Sequence, residues 1–130
     1  MKKFLPLVLI ICLTLVAFQC EDDPIVLSQE EEQAELNVLK TEIETLANTS
    51  SCNNEAICKF IAFGSKPCGG PWNYLIYSTS IDTNKLENLV KEYNQREKDF
   101  NTKWSIVSDC AVALPPTSLE CENNMCLAIY

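Results

Sequence analysis

The chain reads Phe63-Gly64-Ser65-Lys66-Pro67-Cys68-Gly69-Gly70-Pro71-Trp72 through its most unusual stretch. This stretch holds all three glycines of the 130 residues and two of the six prolines. Glycine at this density indicates backbone dihedral angles that other residues avoid, and proline stiffens the chain where it occurs. These features predict a tight chain crossing pinned by a disulfide, and the functional alternative is a rigid exposed loop that presents Lys66 and Trp72 to a partner. Four loop residues form the predicted binding surface: Lys66, Gly69, Gly70 and Trp72.

Segments with strand character flank this loop. Residues 57–63 are rich in β-branched and aromatic side chains and end at Gly64, which predicts a strand. Residues 72–77 fit either a short helix opened by Pro71 or a strand, and their composition favours an extended conformation.

Two amphipathic helices are predicted outside these segments. The first begins at Ser28, because Ser28 and Glu31 form a capping-box pattern. Its apolar residues recur at helical spacing and form one stripe: Leu36, Leu39, Ile43, Leu46 and Ala47. The second follows Asp82, an N-cap residue type. Its apolar face consists of Leu86, Leu89, Val90, Tyr93, Phe100 and Trp104.

Glu97 is unusual because it lies on the apolar face of the second helix. A carboxylate in that position needs hydrogen-bond partners. We expect Glu97 to accept backbone N–H groups of the glycine loop, with Asn101, one turn further on, sharing the task. Both are predicted to be buried polar residues with a structural role, and catalysis is the alternative for Glu97.

The last segment, residues 119–129, is predicted to be a β-hairpin that turns at Asn123-Asn124. Asparagine tolerates the positive φ angles that a two-residue type I′ turn requires. This turn places Cys121 opposite Cys126 at a non-hydrogen-bonded site, where Cα atoms lie ~4.5 Å apart. Such a separation allows a disulfide, so we pair Cys121 with Cys126.

The other four cysteines of the domain allow three pairings. We favour Cys68 with Cys110 and Cys52 with Cys58. The main competitor pairs Cys58 with Cys126, which joins the two best strand candidates. Each arrangement staples a small domain whose hydrophobic core alone would be marginal.

The predicted fold class follows from these elements. It is α+β, with two amphipathic helices packed on a short antiparallel sheet that ends in the hairpin. Residues 28–130 form the single disulfide-rich domain.

The first 27 residues are predicted to direct export. Met1-Lys2-Lys3 and the apolar residues 4–18 are typical of a signal peptide, which we assign to residues 1–19. The apolar run is shorter than the ~20 residues of a membrane-spanning helix, and a permanent anchor is the alternative. Cys20 follows where lipoproteins carry an acylated first residue, and residues 20–27 would form an acidic tether. Gln19 departs from the lipoprotein pattern, which has a small residue there.

Cysteine parity favours lipidation at Cys20. Of the eight cysteines, Cys12 leaves with the signal peptide and Cys20 is consumed by lipid, so an even six remain. Ordinary cleavage after Ala17 would leave seven, one of them unpaired in an oxidising space.

Two resemblances follow from these motifs. Cys20 with Glu21, Asp22 and Asp23 resembles the Bacteroidetes-type exported lipoproteins, which implies a cell-envelope location at the outer membrane or cell surface. A second set of residues, from Cys58 onward, resembles a small cysteine-rich domain of bacterial exported proteins. This resemblance implies a shared fold and indicates no particular biochemical activity. The residues are Cys58 through the glycine loop, Tyr93-Asn94, Glu97, Asn101, Ser108-Asp109-Cys110, Pro115-Pro116 and the Cys121 to Cys126 hairpin.

Composition makes several function classes improbable. The net charge is −8, and loss of Lys2 and Lys3 with the leader makes it two units more negative, so nucleic acid is not an expected partner. The chain has no histidine, which removes the central residue of Ser-His and Cys-His nucleophile systems and of the usual zinc sites. We therefore predict a non-enzyme that uses no metal and no cofactor.

The function that the sequence favours is a protein-binding module acting through the glycine loop, with membrane attachment by the lipid alone. One alternative is an inhibitor of a secreted protease or hydrolase, since a stapled loop loses little entropy on binding. Another is a structural envelope component that assembles through the Leu/Ile stripe of its N-terminal helix. A periplasmic or secreted location is the alternative to surface display.

Overall fold

The computed structural model describes residues 26–130 of the protein. It contains helices α1 (Gln29–Asn48) and α2 (Thr83–Lys103) and strands β1 (Cys58–Phe63), β2 (Asn73–Ser78), β3 (Ser118–Glu122) and β4 (Met125–Ile129). The predicted signal peptide 1–19, Cys20 and the tether up to residue 25 lie outside the described residues. No helix within residues 26–130 is long and apolar enough to span a bilayer.

The fold class is α+β, as the sequence predicts, but the strands form two sheets. Strands β1 and β2 make one antiparallel pair, and β3 and β4 make another. The prediction of one short sheet is corrected in this respect.

Helix α1 begins where the capping-box pattern predicts. The Ser28 hydroxyl accepts from the Glu31 N–H at 3.3 Å, and the Glu31 carboxylate accepts from the Ser28 N–H at 2.8 Å. These two bonds satisfy N–H groups that a helix start leaves without partners. The Ser28 N–H and the Ser28 hydroxyl, which donates to Glu31 Oε2 at 2.8 Å, lower the pKa of the Glu31 carboxyl because both bonds favour its charged form.

Helix α2 begins at the predicted N-cap, Asp82, whose carboxylate accepts from the Lys85 N–H at 2.9 Å. Ion pairs then join the two helices along their length: Glu32 with Lys103, Glu35 with Arg96 and Glu42 with Lys85. Because low numbers in α1 pair with high numbers in α2, the two helices lie antiparallel.

The hydrophobic core lies between the two helices and one face of the β1–β2 sheet. Side chains alternate between the two faces of a strand, which places Phe63 and Tyr77 on the face that meets the helices. The core consists of Leu36, Leu39, Ile43, Ala47, Phe63, Tyr77, Leu86, Val90, Tyr93 and Phe100. The Leu/Ile stripe of α1 is thus buried inside the domain, so it is not the free assembly surface that one alternative requires.

The β3–β4 hairpin turns at Asn123 and Asn124, as predicted. Both residues have positive φ angles, 50° and 64°, as a type I′ turn requires. One hairpin face carries the exposed apolar residues Met125, Leu127 and Ile129.

The six cysteines of residues 26–130 form three disulfides: Cys52–Cys121, Cys58–Cys126 and Cys68–Cys110. The prediction for Cys68–Cys110 is confirmed, and so is the competing pair Cys58–Cys126.

The predicted pairs Cys121–Cys126 and Cys52–Cys58 are wrong. Cys121 does lie directly opposite Cys126 in the hairpin register. Their side chains share the face that meets the rest of the domain, where Cys52 and Cys58 are within bonding distance. The register permits both pairings, and the position of the hairpin against the domain selects the long-range one.

Candidate functional site

The glycine loop, residues 63–72, is closed by its own backbone. The Trp72 N–H donates to the Phe63 carbonyl at 3.1 Å and continues the β1–β2 ladder by one step. Inside this closure, the Lys66 N–H donates to the Gly70 carbonyl at 2.8 Å, and the Gly69 N–H donates to the Lys66 carbonyl at 2.9 Å. The loop is therefore a set of nested tight turns.

Glycine is required at position 64 for two reasons. Its φ angle is +82°, in the left-handed region that residues with a Cβ rarely adopt. A Cβ atom there would lie 2.5 Å from Trp72 Cδ1 and 3.0 Å from Glu97 Oε2. The missing side chain lets the indole and the carboxylate approach the backbone.

Three polar side chains of α2 form what we call the α2 ladder: Asn94, Glu97 and Asn101. The Asn94 amide donates to the Ala62 carbonyl at 3.0 Å and accepts from the Gly64 N–H at 2.7 Å. Glu97 Oε2 accepts from the Ser65 N–H at 2.5 Å, and the Asn101 amide donates to the Ser65 carbonyl at 2.7 Å.

Spacing explains how one helix makes all these bonds. Positions 94, 97 and 101 follow each other at three and four residues, so they share one helix face. That face runs beside the free edge of β1 and the start of the loop, and its side chains pair with the backbone as a neighbouring strand would. Glu97 and Asn101 therefore bind the loop as the sequence predicts, although both are half-buried and not fully buried.

The second oxygen of Glu97 is also engaged. Tyr93 donates its hydroxyl to Glu97 Oε1 at 3.0 Å. Burial raises the pKa of Tyr93 well above its usual range, and the negative charge of Glu97 adds to the effect.

Lys66 is buried, which corrects its predicted place on the binding surface. The side chain is 8% exposed, and Nζ donates to Asp109 Oδ1 at 3.0 Å and to the Ala111 carbonyl at 2.6 Å. The same Nζ lies 5.0 Å from the centre of the Trp72 ring, within the range of a cation–π contact. A buried ammonium needs such partners, so Lys66 fastens the loop to the segment after α2.

The Cys68–Cys110 disulfide fastens the loop to the same segment. Hydrogen bonding and the charge of Lys66 lower the pKa of Asp109. Lys66 and Cys68 together hold residues 109–111 against the loop.

The other predicted surface residues are exposed. Gly69 and Gly70 lie at the loop tip with open space where a Cβ would be, and Trp72 is 42% exposed. A groove of about 720 Å³ runs beside the tip, between the loop and α2. Its rim includes Pro71, Lys91 and Lys98.

These side chains support binding more readily than acid–base chemistry. Both oxygens of Glu97 accept hydrogen bonds from the protein, and Asp109 is paired with Lys66. Among the described residues, one group of potential metal ligands lies together, Cys52, Cys58 and Cys126, and all three are disulfide-bonded.

Two anchoring residues were missed at the level of sequence. Asn94 repeats the helical spacing of Glu97 and Asn101, so the polar pattern on α2 was a usable signal for it. Asp109 lies 43 residues from its partner Lys66, and no local pattern indicates that pair.

No protein-family model, curated protein or solved structure matches this chain.

Proposed function

We propose that the protein is an exported binding module that recognises a protein partner through the tip of the glycine loop. The observation that carries this proposal is that the ten-residue glycine loop has a firmly held base and an exposed tip. The base of the loop is held by the α2 ladder, by buried Lys66 and by a disulfide, while Gly69, Gly70 and Trp72 are exposed.

This contrast favours recognition on energetic grounds. A loop that is already ordered loses little conformational entropy when it binds, so more of the contact energy appears as affinity. An exposed tryptophan is among the side chains that most often dominate a protein interface. The adjoining groove adds a concave surface beside that anchor.

The proposal includes export and lipid attachment at Cys20, with the domain displayed on the outer membrane or cell surface. Its support is the set of three disulfides, which uses every cysteine in residues 26–130 and is typical of oxidising compartments. Mass spectrometry of the mature amino terminus tests this part. A diacylglyceryl group on Cys20 is the expected result, and an unmodified residue 20 would refute lipidation.

Affinity capture with surface-labelled cells and medium tests the binding role. The bait is the oxidised domain, and the matched baits are Trp72→Ala and Asn73→Arg, two changes beside the exposed tip. We expect both to lose at least tenfold in affinity for any protein that the unmodified domain retains.

Val38→Arg provides the control, because Val38 is 70% exposed on α1 and belongs to no part of the loop. Its capture should match that of the unmodified domain. Thermal unfolding of each variant separates lost binding from lost folding. Equal capture by all four proteins would contradict the proposal.

A further inference from the structure

Two disulfides meet where the hairpin joins the rest of the domain. Cys52–Cys121 and Cys58–Cys126 each close more than 60 residues, with sequence separations of 69 and 68. The sulfur atoms of Cys52, Cys58 and Cys126 all lie within 4.8 Å of one another. Because Cys121 is bonded to Cys52, the four sulfurs form one group, which we call the sulfur cluster.

A second pairing within the sulfur cluster is also compatible with the backbone. Cys121 and Cys126 are directly opposite each other in the β3–β4 register, at a site where Cα atoms approach to ~4.5–5.5 Å. Disulfides form across that range. Cys52 and Cys58 already have their sulfurs within 4.8 Å. The register thus permits the Cys121–Cys126 bridge by movements of side chains, and the Cys52 and Cys58 sulfurs start close together.

Exposure differs sharply among these cysteines. Cys52 is 1% exposed, Cys58 and Cys126 are half-buried, and Cys121 is exposed. A thiolate arriving from solvent therefore reaches Cys121 first.

We propose that the sulfur cluster is a thiol-exchange site, opened at Cys121 by a small-molecule thiol. The exchange converts the two long-range disulfides into the local disulfides Cys52–Cys58 and Cys121–Cys126.

The chemistry is a closed sequence of three sulfur displacements. The external thiolate attacks Sγ of Cys121, forms a mixed disulfide and releases Cys52 as a thiolate. Cys52 attacks Sγ of Cys58, which forms Cys52–Cys58 and releases the Cys126 thiolate. Cys126 then attacks Sγ of Cys121, which forms Cys121–Cys126 and releases the external thiolate. Each step makes one S–S bond and breaks one, so no oxidant or reductant is consumed.

The exchange changes how the hairpin is attached. In the structure, two covalent bonds tie β3 and β4 to β1 and to the segment after α1. After exchange, the remaining ties are non-covalent, among them the hydrogen bond from the Cys52 N–H to the Asn124 carbonyl. The hairpin can then separate from the domain. Because the thiol is regenerated, it acts as a catalyst: it sets how fast the two pairings interconvert and leaves their equilibrium ratio unchanged.

Disulfide mapping tests this proposal. The folded, oxidised domain is incubated with a substoichiometric amount of 2-mercaptoethanol at about pH 8, where thiols are partly ionised. The reaction is stopped with acid and N-ethylmaleimide, and non-reduced peptides are identified by mass spectrometry. We expect peptides linked through Cys52–Cys58 and Cys121–Cys126 to appear and to reach a level that does not depend on the amount of thiol, while Cys68–Cys110 stays intact.

Two results would overturn the proposal. One is an unchanged pairing after prolonged incubation. The other is new pairing that includes Cys68 or Cys110, which would show exchange through global unfolding.

A pair of variants isolates the second displacement. Cys121→Ala leaves Cys52 as a free thiol beside the Cys58–Cys126 bond, so Cys52–Cys58 should appear with no added thiol. In the matched variant Cys110→Ala, the free Cys68 belongs to no part of the sulfur cluster and should be recovered as its maleimide adduct. Recovery of Cys52 solely as its adduct from folded Cys121→Ala, checked by near-ultraviolet circular dichroism, would refute the relay.

Discussion

Single residues in this domain carry unusually specific tasks. Glu97 receives a hydrogen bond from the loop backbone and another from Tyr93, so one carboxylate orders both the loop and its own helix. Gly64 makes room for that carboxylate by lacking a side chain. Changes at these positions should therefore alter stability more than changes at neighbouring surface residues.

Removing the Glu97 carboxylate should destabilise the domain. Glu97→Ala leaves the Ser65 N–H and the Tyr93 hydroxyl without their acceptor, and a half-buried group without a partner costs ~1–3 kcal/mol. Urea unfolding measures the loss. Glu92→Ala, in the same helix, removes only a surface ion pair with Arg96 and should cost under ~1 kcal/mol. Equal losses for the two variants would show that the α2 ladder does not hold the loop.

A methyl group at position 64 should be tolerated less well than at the loop tip. Gly64→Ala and Gly69→Ala both pay ~1–2 kcal/mol for a positive φ angle. Only the Cβ at position 64 also meets Trp72 and Glu97, which adds ~1–3 kcal/mol of overpacking. Thermal unfolding of the two variants should thus rank Gly64→Ala as the less stable, and the reverse order would argue against the tight packing of the loop.

Buried Tyr77 should make stability fall at alkaline pH. Burial and a hydrogen bond to Glu87 raise its pKa to about 12, whereas an unfolded tyrosine has a pKa of about 10. Between these values the unfolded chain loses the proton first, so the free energy of unfolding decreases as the pH rises from about 10 to about 12. Tyr77→Phe should flatten this decline in unfolding titrations. Identical slopes for Tyr77→Phe and the unmodified domain would refute the assignment.

At the level of helices and strands, local sequence patterns were sufficient to predict those features that depend on residues close together in the chain. The two N-caps, the α1 stripe, the hairpin turn and the Glu97 contact all follow from spacing and turn chemistry. The disulfide partners of Cys121 and Cys52 could not be predicted from local patterns, because the register at Cys121 permits a local bridge and a long-range bridge equally well. The burial of Lys66 was missed for a similar reason, since its partner Asp109 is far away in the chain.

The hairpin turn offers a test at this scale. Asn124 has a φ angle of 64°, and Asn-Gly is the preferred pair for a type I′ turn. We expect Asn124→Gly to keep or raise stability by up to ~1 kcal/mol, and Asn124→Ile to lower it by ~1–2 kcal/mol, since a β-branched residue resists positive φ. Chemical unfolding gives both values. A more stable Asn124→Ile would mean that another turn type is adopted in solution.

For the molecule as a whole, covalent bonds compensate for a small core. Within residues 26–130, ten side chains form the buried cluster, and three disulfides connect the segments around it. Small domains with limited cores commonly depend on such bonds.

Loss of the Cys68–Cys110 bridge should therefore weaken the entire domain. It closes a loop with a sequence separation of 42, for which the chain-entropy description gives ~4 kcal/mol. The double variant Cys68→Ala, Cys110→Ala should show a decrease of ~3–4 kcal/mol in its unfolding free energy, observed by circular dichroism and by tryptophan fluorescence alike. A change confined to tryptophan fluorescence would show that this bridge orders only the loop.

The α2 ladder also restricts how this protein can diverge. Inserting or deleting one residue between Asn94 and Asn101 would turn the later part of the helix by about 100° and carry Asn101 away from the Ser65 carbonyl. Homologous chains can thus vary in length between α2 and β3 far more freely than between Asn94 and Asn101. The distance in sequence from Asn94 to Asn101 should be inherited together with the glycine loop, as a single unit of fixed length.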